Sequence, residues 1–573
     1  MPVHNHDIAE AFNQLADLLE IKGENQFRIR AYRNAARTIG SLPQNAADLV
    51  AKKADLTKYE GIGKDLAGKI EYFVKNRELP LLEELKKEMP AGIVELMRVA
   101  GLGAKRIAVL QKKLGVGSLD ELKEAAEQGK IEEVEGFGKK TQEAILQELA
   151  RIGAAGKRIL LNRAKEFCEP LLEYLKKAEG VKDVAAAGSY RRRRETVGDL
   201  DILIIASKQS DIAERVCNYE DVKKVIAKGK SKTSVLLGSD LQVDVRVVPQ
   251  VSFGAAMVYF TGSKEHCIAL RKIGQSKKLK VNEYGVYKGK RRVAGRTEQE
   301  VYKKLGLEYI EPELRENRGE IEAAKENNLP KLIKREDIRG DFHVHSNYTD
   351  GHNTIEEMAE AARELGYKYI AITDHSQNVT VAGGLKPREV EKQIAEIDKL
   401  NKKLKGITIL KGSEVDILEK GDLDLPDEIL EQLDIVVCSV HSHFKLSRDK
   451  QTKRIIKAMD NPNFNILGHP TGRLINERGP YDVDMEAVVK AAAERGVMLE
   501  LNSHFDRLDL DDMNCKMAKD NGVMIVISTD AHRTGHFDFM EFGIGQARRG
   551  WLEAKDILNT RPLAEVKKIL KRS

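Results

Sequence analysis

From Gly340 onward the chain repeats one pattern, and that pattern leaves few folds open. Short apolar runs recur at 341–344, 369–373, 407–410, 435–440, 464–467, 497–501 and 523–528, with helical patterns such as 354–365 and 485–495 between most of them. Strand–helix alternation implies parallel strands with helical crossovers, and seven strands predict a distorted (β/α) barrel. Nearly every run ends on a metal-ligating residue type. The first carries His343 and His345, with Asp350 in the loop beyond, and the next four lead to His375, Glu414, His441 and His469. The last leads to Asp530 and His532. Parallel barrel strands place their C-terminal ends on one rim, so these nine side chains should converge. Ten of the 13 histidines lie at or after His343, where surface histidines would scatter. Nine such groups are too many for one ion, and three ions sharing a carboxylate is the natural count. Nitrogen and oxygen ligands without thiolate suit Zn²⁺, Mn²⁺ or Fe²⁺. Such a cluster would generate hydroxide and polarise a phosphate. His352, His443, His504 and His536 lack the strand-end pattern and read as supporting or surface residues.

Length and composition bound the rest. A chain of 573 residues suggests three or four domains. The net charge of +6 is compatible with a polyanionic partner. Five scattered cysteines argue against a disulfide framework or thiolate zinc site. With no signal-like segment and no long apolar run, a cytoplasmic chain that does not enter a membrane is expected.

Residues 151–315 are of mixed α/β character, with β-branched runs at 184–188, 199–206, 235–237 and 241–248. In an extended segment Asp199 and Asp201 point the same way. Asp244 sits in a later alternating run with the polar Gln242 and Arg246. Three such carboxylates can hold two Mg²⁺ ions, lowering the pKa of an attacking hydroxyl and stabilising an in-line transition state. Gly188 allows backbone to approach a phosphate, Ser189 can donate a hydrogen bond, and Arg192 can pair with a triphosphate.

Residues 1–150 read as helical, with amphipathic stretches at 8–20 and 81–87 and no strand-like run. Gly61-Ile-Gly63, Gly101-Leu-Gly103 and Gly136-Phe-Gly138 form a loose repeat, each turn opening a helix. A tight turn at a helix N-terminus exposes backbone N–H groups suited to phosphate. The charged stretch 316–338 reads as a linker. The expected domains are 1–90, 91–155, 156–315 and 339–573.

Two family resemblances rest on these residues. Gly188-Ser189-x-Arg191-Arg192, Gly198-Asp199-x-Asp201, Val243-Asp244-x-Arg246 and Tyr259-Phe260-Thr261-Gly262-Ser263 resemble the family X DNA polymerases, of which polymerase beta is best known. The resemblance covers about 1–315 and implies an α/β nucleotidyltransferase palm with a thumb-like region at 156–315. It implies catalytic Asp199, Asp201 and Asp244, and triphosphate contacts from Ser189, Arg192 and Gly198. Gly188 and Gly262 would line the nucleotide cleft. The Tyr259-Phe260 turn would crowd out a ribose 2′-OH, and Arg271 would touch the template. Cys267 departs from the family, which usually has Asn there in contact with the incoming base. The three Gly-x-Gly turns resemble helix-hairpin-helix motifs. The first 90 residues resemble the family's small 5′-phosphate-binding domain. There Arg28, Tyr32 and Arg33 match phosphate-contacting positions, and Lys69 matches the Schiff-base lysine of polymerase beta, an amine able to open an abasic sugar through an imine.

Phe342-His343-Val344-His345-Ser346 with Asp350-Gly351, Ile372-Thr373-Asp374-His375, Gly468-His469-Pro470 and Ser528-Thr529-Asp530-Ala531-His532 resemble the polymerase and histidinol phosphatase (PHP) domain over about 340–573. That resemblance implies one metal on His343, His345, Glu414 and Asp530. A second would sit on Glu414, His441 and His469, and a third on Asp350, His375 and His532. It also leaves Arg473 placed to steady a phosphate. Together the halves resemble bacterial and archaeal family X polymerases. The resemblance implies gap-filling synthesis with dNTPs on gapped or primed DNA, and Mg²⁺ at the polymerase site. It also implies 3′→5′ exonuclease or 3′-end processing with Mn²⁺ or Zn²⁺, cleavage at abasic sites, and a monomer. The alternative is a nuclease or phosphatase whose polymerase half only positions DNA, and Cys267 is its support.

Overall fold

A computed structural model describes every residue except 1, 2, 4, 41–45, 60, 91, 94, 100, 101, 156, 157, 208–210, 572 and 573. The chain divides into two compact units, Met1–Lys157 and Arg158–Ser573. The first has helices and no strand among its described residues. Its helices Asn5–Lys22 and Gln26–Gly40 bury Ile8, Phe12, Leu15, Ala35 and Ile39 completely. One apolar core continues through Ile107, Leu110, Leu122 and Ile131. No helix among the described residues is long and apolar enough to cross a membrane.

The second unit carries two sheets that position the candidate sites. The first comprises β1 (Val181–Ala186), β2 (Asp199–Ala206), β3 (Val222–Lys228), β4 (Lys232–Leu237) and β5 (Gln242–Val247), in the order β1-β2-β5-β4-β3. Strands β2 and β5 run parallel, with Asp201 directly beside Asp244. The second sheet has β6 (Gly340–Val344), β7 (Tyr369–Ile372), β8 (Thr408–Asp416), β9 (Ile435–Ser439), β10 (Ile466–Leu467), β11 (Met498–Asn502) and β12 (Ile525–Ser528). They pair in chain order, all parallel. A parallel bridge between Val344 and Ala531 brings β6 to the end of β12, so the seven strands nearly close into the expected barrel.

The stretch expected to be a linker is packed structure. Glu320–Glu326 is a helix, with Glu320 fully buried and His266 Nδ1 2.6 Å from its carboxylate. Ile333 is fully buried, and its N–H donates to the Leu552 carbonyl. Glu316, Arg318 and Glu320 looked solvated because their partners Arg192, Asp512 and His266 lie far away in the chain. Palm and barrel also share apolar core. Ile475, Leu508 and Phe542 of the barrel half pack in one cluster with Leu161, Phe167 and Leu200.

A buried ion triad braces the palm. Glu298 accepts from Arg191 at 2.6 Å and from Arg315 at 2.7 Å, and Arg315 is 0% exposed. Burial alone would raise the Glu298 pKa, but the Arg315 and Arg191 guanidiniums hold it at about 2. A carboxylate depressed on folding contributes stability above its ordinary value of 4.5 and loses it as pH falls through about 2. We expect Glu298→Gln to cost roughly 3 kcal/mol at neutral pH. The gap to wild type should shrink as denaturant midpoints are measured from pH 4.5 toward pH 2. A gap that stays constant across that window would show that Glu298 is not the titrating brace.

Candidate active sites

The palm site is a cavity of about 580 Å³ lined by Gly188, Ser189, Arg192, Asp199, Asp201 and Tyr259, with Phe260, Gly262, Cys267 and Arg271 also on its wall. Gly188 has φ +65° at the turn after β1, and a Cβ there would meet the Asp201 carboxylate at 2.9 Å. Glycine at this position therefore lets the backbone lie against a catalytic-type carboxylate. The Ser189 hydroxyl is buried with no hydrogen-bond partner, a donor held ready for a polar ligand. Arg192 is buried, donates to the Thr261 carbonyl and pairs with Glu316 at 3.0 Å. Gly198 precedes β2, and a Cβ there would meet the Arg158 guanidinium at 2.9 Å. Tyr259 and Phe260 meet edge to face, with Arg271 5.4 Å over the Tyr259 ring. The Cys267 thiol faces the Val258 and Tyr259 carbonyls at 3.6 and 3.5 Å.

Burial, with the charges of Asp199 and Asp244, pushes Asp201 up to about 6. A site that raises a carboxyl this way is suited to a divalent cation, which would restore its charge. The three aspartates are not one tight set, however. Burial would raise Asp244, but hydrogen bonds from Lys232 and Ser234 hold it below the usual carboxylate range, and Lys232 Nζ lies 2.7 Å away. The expected trio is thus adjacent in register, with one member engaged by a lysine. Sequence reading missed Lys232 and also Arg158 and Arg194, which line the cavity. Their only signal was positive charge.

The barrel rim gathers all nine expected residues. Glu414, near the end of β8 and 1% exposed, lies at their centre. Its Oε2 is 2.8 Å from His375, 3.4 Å from His343 and 3.7 Å from His345. Its Oε1 is 3.0 Å from His469 and 3.2 Å from His441. His345 lies 3.2 Å from Asp530, and Asp350 is 3.6 Å from His375 and 3.4 Å from His532. The Nε2 of His343 and both ring nitrogens of His345 are buried with no hydrogen-bond partner, the state expected of a donor set built for cations.

Three groups are close enough to hold an ion: His343, His345 and Asp530; His375, Glu414 and His441; and His345, Asp350, His375 and His532. The grouping differs from the expected one. His345 reaches two groups, His375 also joins the Glu414 group, and His469 meets Glu414 without completing a set. Burial would raise Glu414, but His441, His343 and His375 hold it well below the ordinary range. Burial and the neighbouring His532 and His375 lower His345 to about 4.

Behind the rim, other groups fix the rings. Glu500 lies 2.7 Å from His343 Nδ1 and accepts the His469 N–H at 2.6 Å. Asp416 lies 3.4 Å from His441 Nδ1, and Asn502 donates to Asp530 at 3.0 Å. Holding the far nitrogen orients an imidazole toward its metal. Sequence reading missed Glu500, although a lone carboxylate inside the apolar run Met498–Asn502 was its signal. Arg473, expected to steady a phosphate, is engaged by protein groups. It is spent on Glu195 of the palm at 2.7 Å and on the Arg507 and Leu508 carbonyls. His504 faces Asp506 at 2.5 Å, and His536 is buried beside His532.

In the helical unit, Gly63 and Gly103 directly precede Lys64–Asn76 and Ala104–Leu114, and Gly138 precedes Lys139–Ala155. Gly61 and Gly136 take φ +72° and +88°. A Cβ at Gly63, Gly103 or Gly138 would meet nothing within 4 Å, so these turns are open to a phosphate. Gly101 lies outside the described residues. Tyr32, expected at a phosphate, is instead a core residue, 3% exposed and edge-on to Phe12. Lys69 pairs with Asp65 and stands 5.6 Å over the Tyr32 ring. Arg28 pairs loosely with Glu24 at 3.7 Å, and Arg33 is held by Asp17 and Glu20.

A carboxylate site on two adjacent strands at a cleft of about 580 Å³, with a histidine-rich barrel rim in the same compact unit, is the pairing expected of a polymerase combined with a phosphoesterase. The family models agree. The DNA polymerase beta palm matches 161–259 and its thumb 256–316, and the PHP domain matches 341–504. A helix-hairpin-helix domain matches 3–79 and a SAM-like helix-hairpin-helix tandem 93–151. The chain is 39% identical over 576 residues, covering 100% of both, to the DNA polymerase/3′-5′ exonuclease PolX of Bacillus subtilis (strain 168). It is 35% identical over 243 residues to a probable phosphatase of Thermoanaerobacter sp. (strain X514), covering 40% of this chain and 94% of that one. The chain therefore belongs to the family X DNA polymerases that carry a PHP domain, the PolX family.

Proposed function

We propose that this enzyme fills short gaps during DNA repair, as a monomer in the cytoplasm, and trims 3′ ends at its barrel rim. The observation that carries the reading is a pair of separate charged centres within one compact unit. Asp199, Asp201 and Asp244 would hold Mg²⁺, and the nine rim residues Mn²⁺ or Zn²⁺. These ions supply charge neutralisation and an activated oxygen nucleophile. Ser189, Arg192 and the Gly198 backbone take the triphosphate, and the Tyr259-Phe260 turn crowds a 2′-OH. Arg271, stacked on Tyr259, borders the template side. The open glycine turns take DNA backbone phosphates, and Lys69 is the candidate imine-forming amine. The rim's phosphoester chemistry also extends to abasic sites.

A labelled gapped duplex tests this. With Mg²⁺ and all four dNTPs the primer should gain the complementary nucleotide. With Mn²⁺ and no dNTP its 3′ end should shorten, and a chelator should stop both. Insertion indifferent to the template base, or a strand left at full length in Mn²⁺, would count against the respective half.

A further inference from the structure

The nucleotide reading uses one of four consecutive arginines, Arg191 to Arg194, and the structure sends them to three different places. Arg191 goes to Glu298. Arg193 packs its side chain against Gly545 of the barrel half, where a Cβ would meet it at 3.2 Å. Arg194 stays 40% exposed at the cavity, and Arg192 lies inside. Glu316 faces three cations at once: Arg192 at 3.0 Å, Arg194 at 3.6 Å and Arg549 at 2.9 Å. Arg549 ends the helix Met540–Arg549 of the barrel half, and its side chain is 4% exposed. Its Nη1 also donates to the Arg192 carbonyl at 2.9 Å, and its Nη2 donates to Asp512 at 2.6 Å. Arg318 shares Asp512 at 2.9 Å.

We propose that Arg549, from the phosphoesterase half, is a positioning residue for the polymerase's triphosphate cleft. Glu316 competes with a bound triphosphate for Arg192. Arg549 occupies that carboxylate and pins the backbone of Arg192, so the cleft keeps its positive field. The inference rests on the nucleotide reading of the cavity.

The two charges therefore act in opposite directions. In full-length enzyme on a single-nucleotide gap, Arg549→Gln should raise the KM for dNTP about tenfold with kcat within about twofold. Glu316→Gln should lower that KM, and Arg549→Lys, which keeps the charge, should stay near wild type. Neither residue touches the barrel rim, so 3′ trimming should not change. Both glutamine variants shifting KM the same way, or neither shifting it, would overturn the inference. If Arg549→Gln does not fold, an unchanged or raised KM in Glu316→Gln overturns it alone. Wild type that fails to extend at all would instead sink the nucleotide reading.

Discussion

Glu414→Gln will abolish 3′ trimming, by at least about 10³-fold, and leave primer extension within about twofold. The carboxylate lies within 3.7 Å of five imidazoles and belongs to a group able to hold an ion. An amide of the same shape keeps one weak oxygen donor and turns an NH₂ group toward the others. It also removes the negative charge that would balance cations held among the buried histidines. The fold should survive, because Glu414 is isosteric with glutamine and β8 pairs through its backbone. Strand shortening in Mn²⁺, followed on a labelled duplex, reads the loss, and extension by the same preparation reads folding. Trimming at wild-type rate would move the phosphoesterase chemistry away from the rim.

Asp201→Asn is the reciprocal case. It should cost primer extension on the order of 10³-fold while trimming persists. Asp201 sits beside Asp244 in register and against the Gly188 backbone, and burial with the neighbouring aspartates already lifts it to about 6. Asparagine fits that space but cannot supply the charge a divalent ion would draw out. Run beside Glu414→Gln on one gapped duplex, it separates the two centres. A single substitution that stopped both reactions would mean they are not independent.

The barrel was legible because one residue set carried two signals at once. Each apolar run marked a strand, and the ligand after it marked which end was functional. Strand β3, Val222–Lys228, was not read as a strand. It is an edge strand in the order β1-β2-β5-β4-β3, and almost all its side chains, Val225 and Ile226 among them, face solvent. No alternation of burial was imprinted on it, and its lysines are what an unpaired edge tolerates. The stretch 316–338 was misread for a different reason, since most of its charges do face solvent while Glu320, Ile321, Leu332 and Ile333 are buried against distant partners. The partition of the nine rim ligands was also beyond local pattern. Which imidazole reaches which carboxylate depends on rotamers fixed from behind by Glu500, Asp416 and Asn502.

The shared core of palm and barrel bears on how such a chain could change over time. Ile475, Leu508 and Phe542 lie in the palm's own apolar cluster, and Arg473 is committed to Glu195. A recombination event that exchanged the barrel for a foreign one would have to carry its docking face along or leave that cluster bare. Descendants that lose the rim ligands should therefore keep the barrel itself, retained as scaffolding after its chemistry has gone.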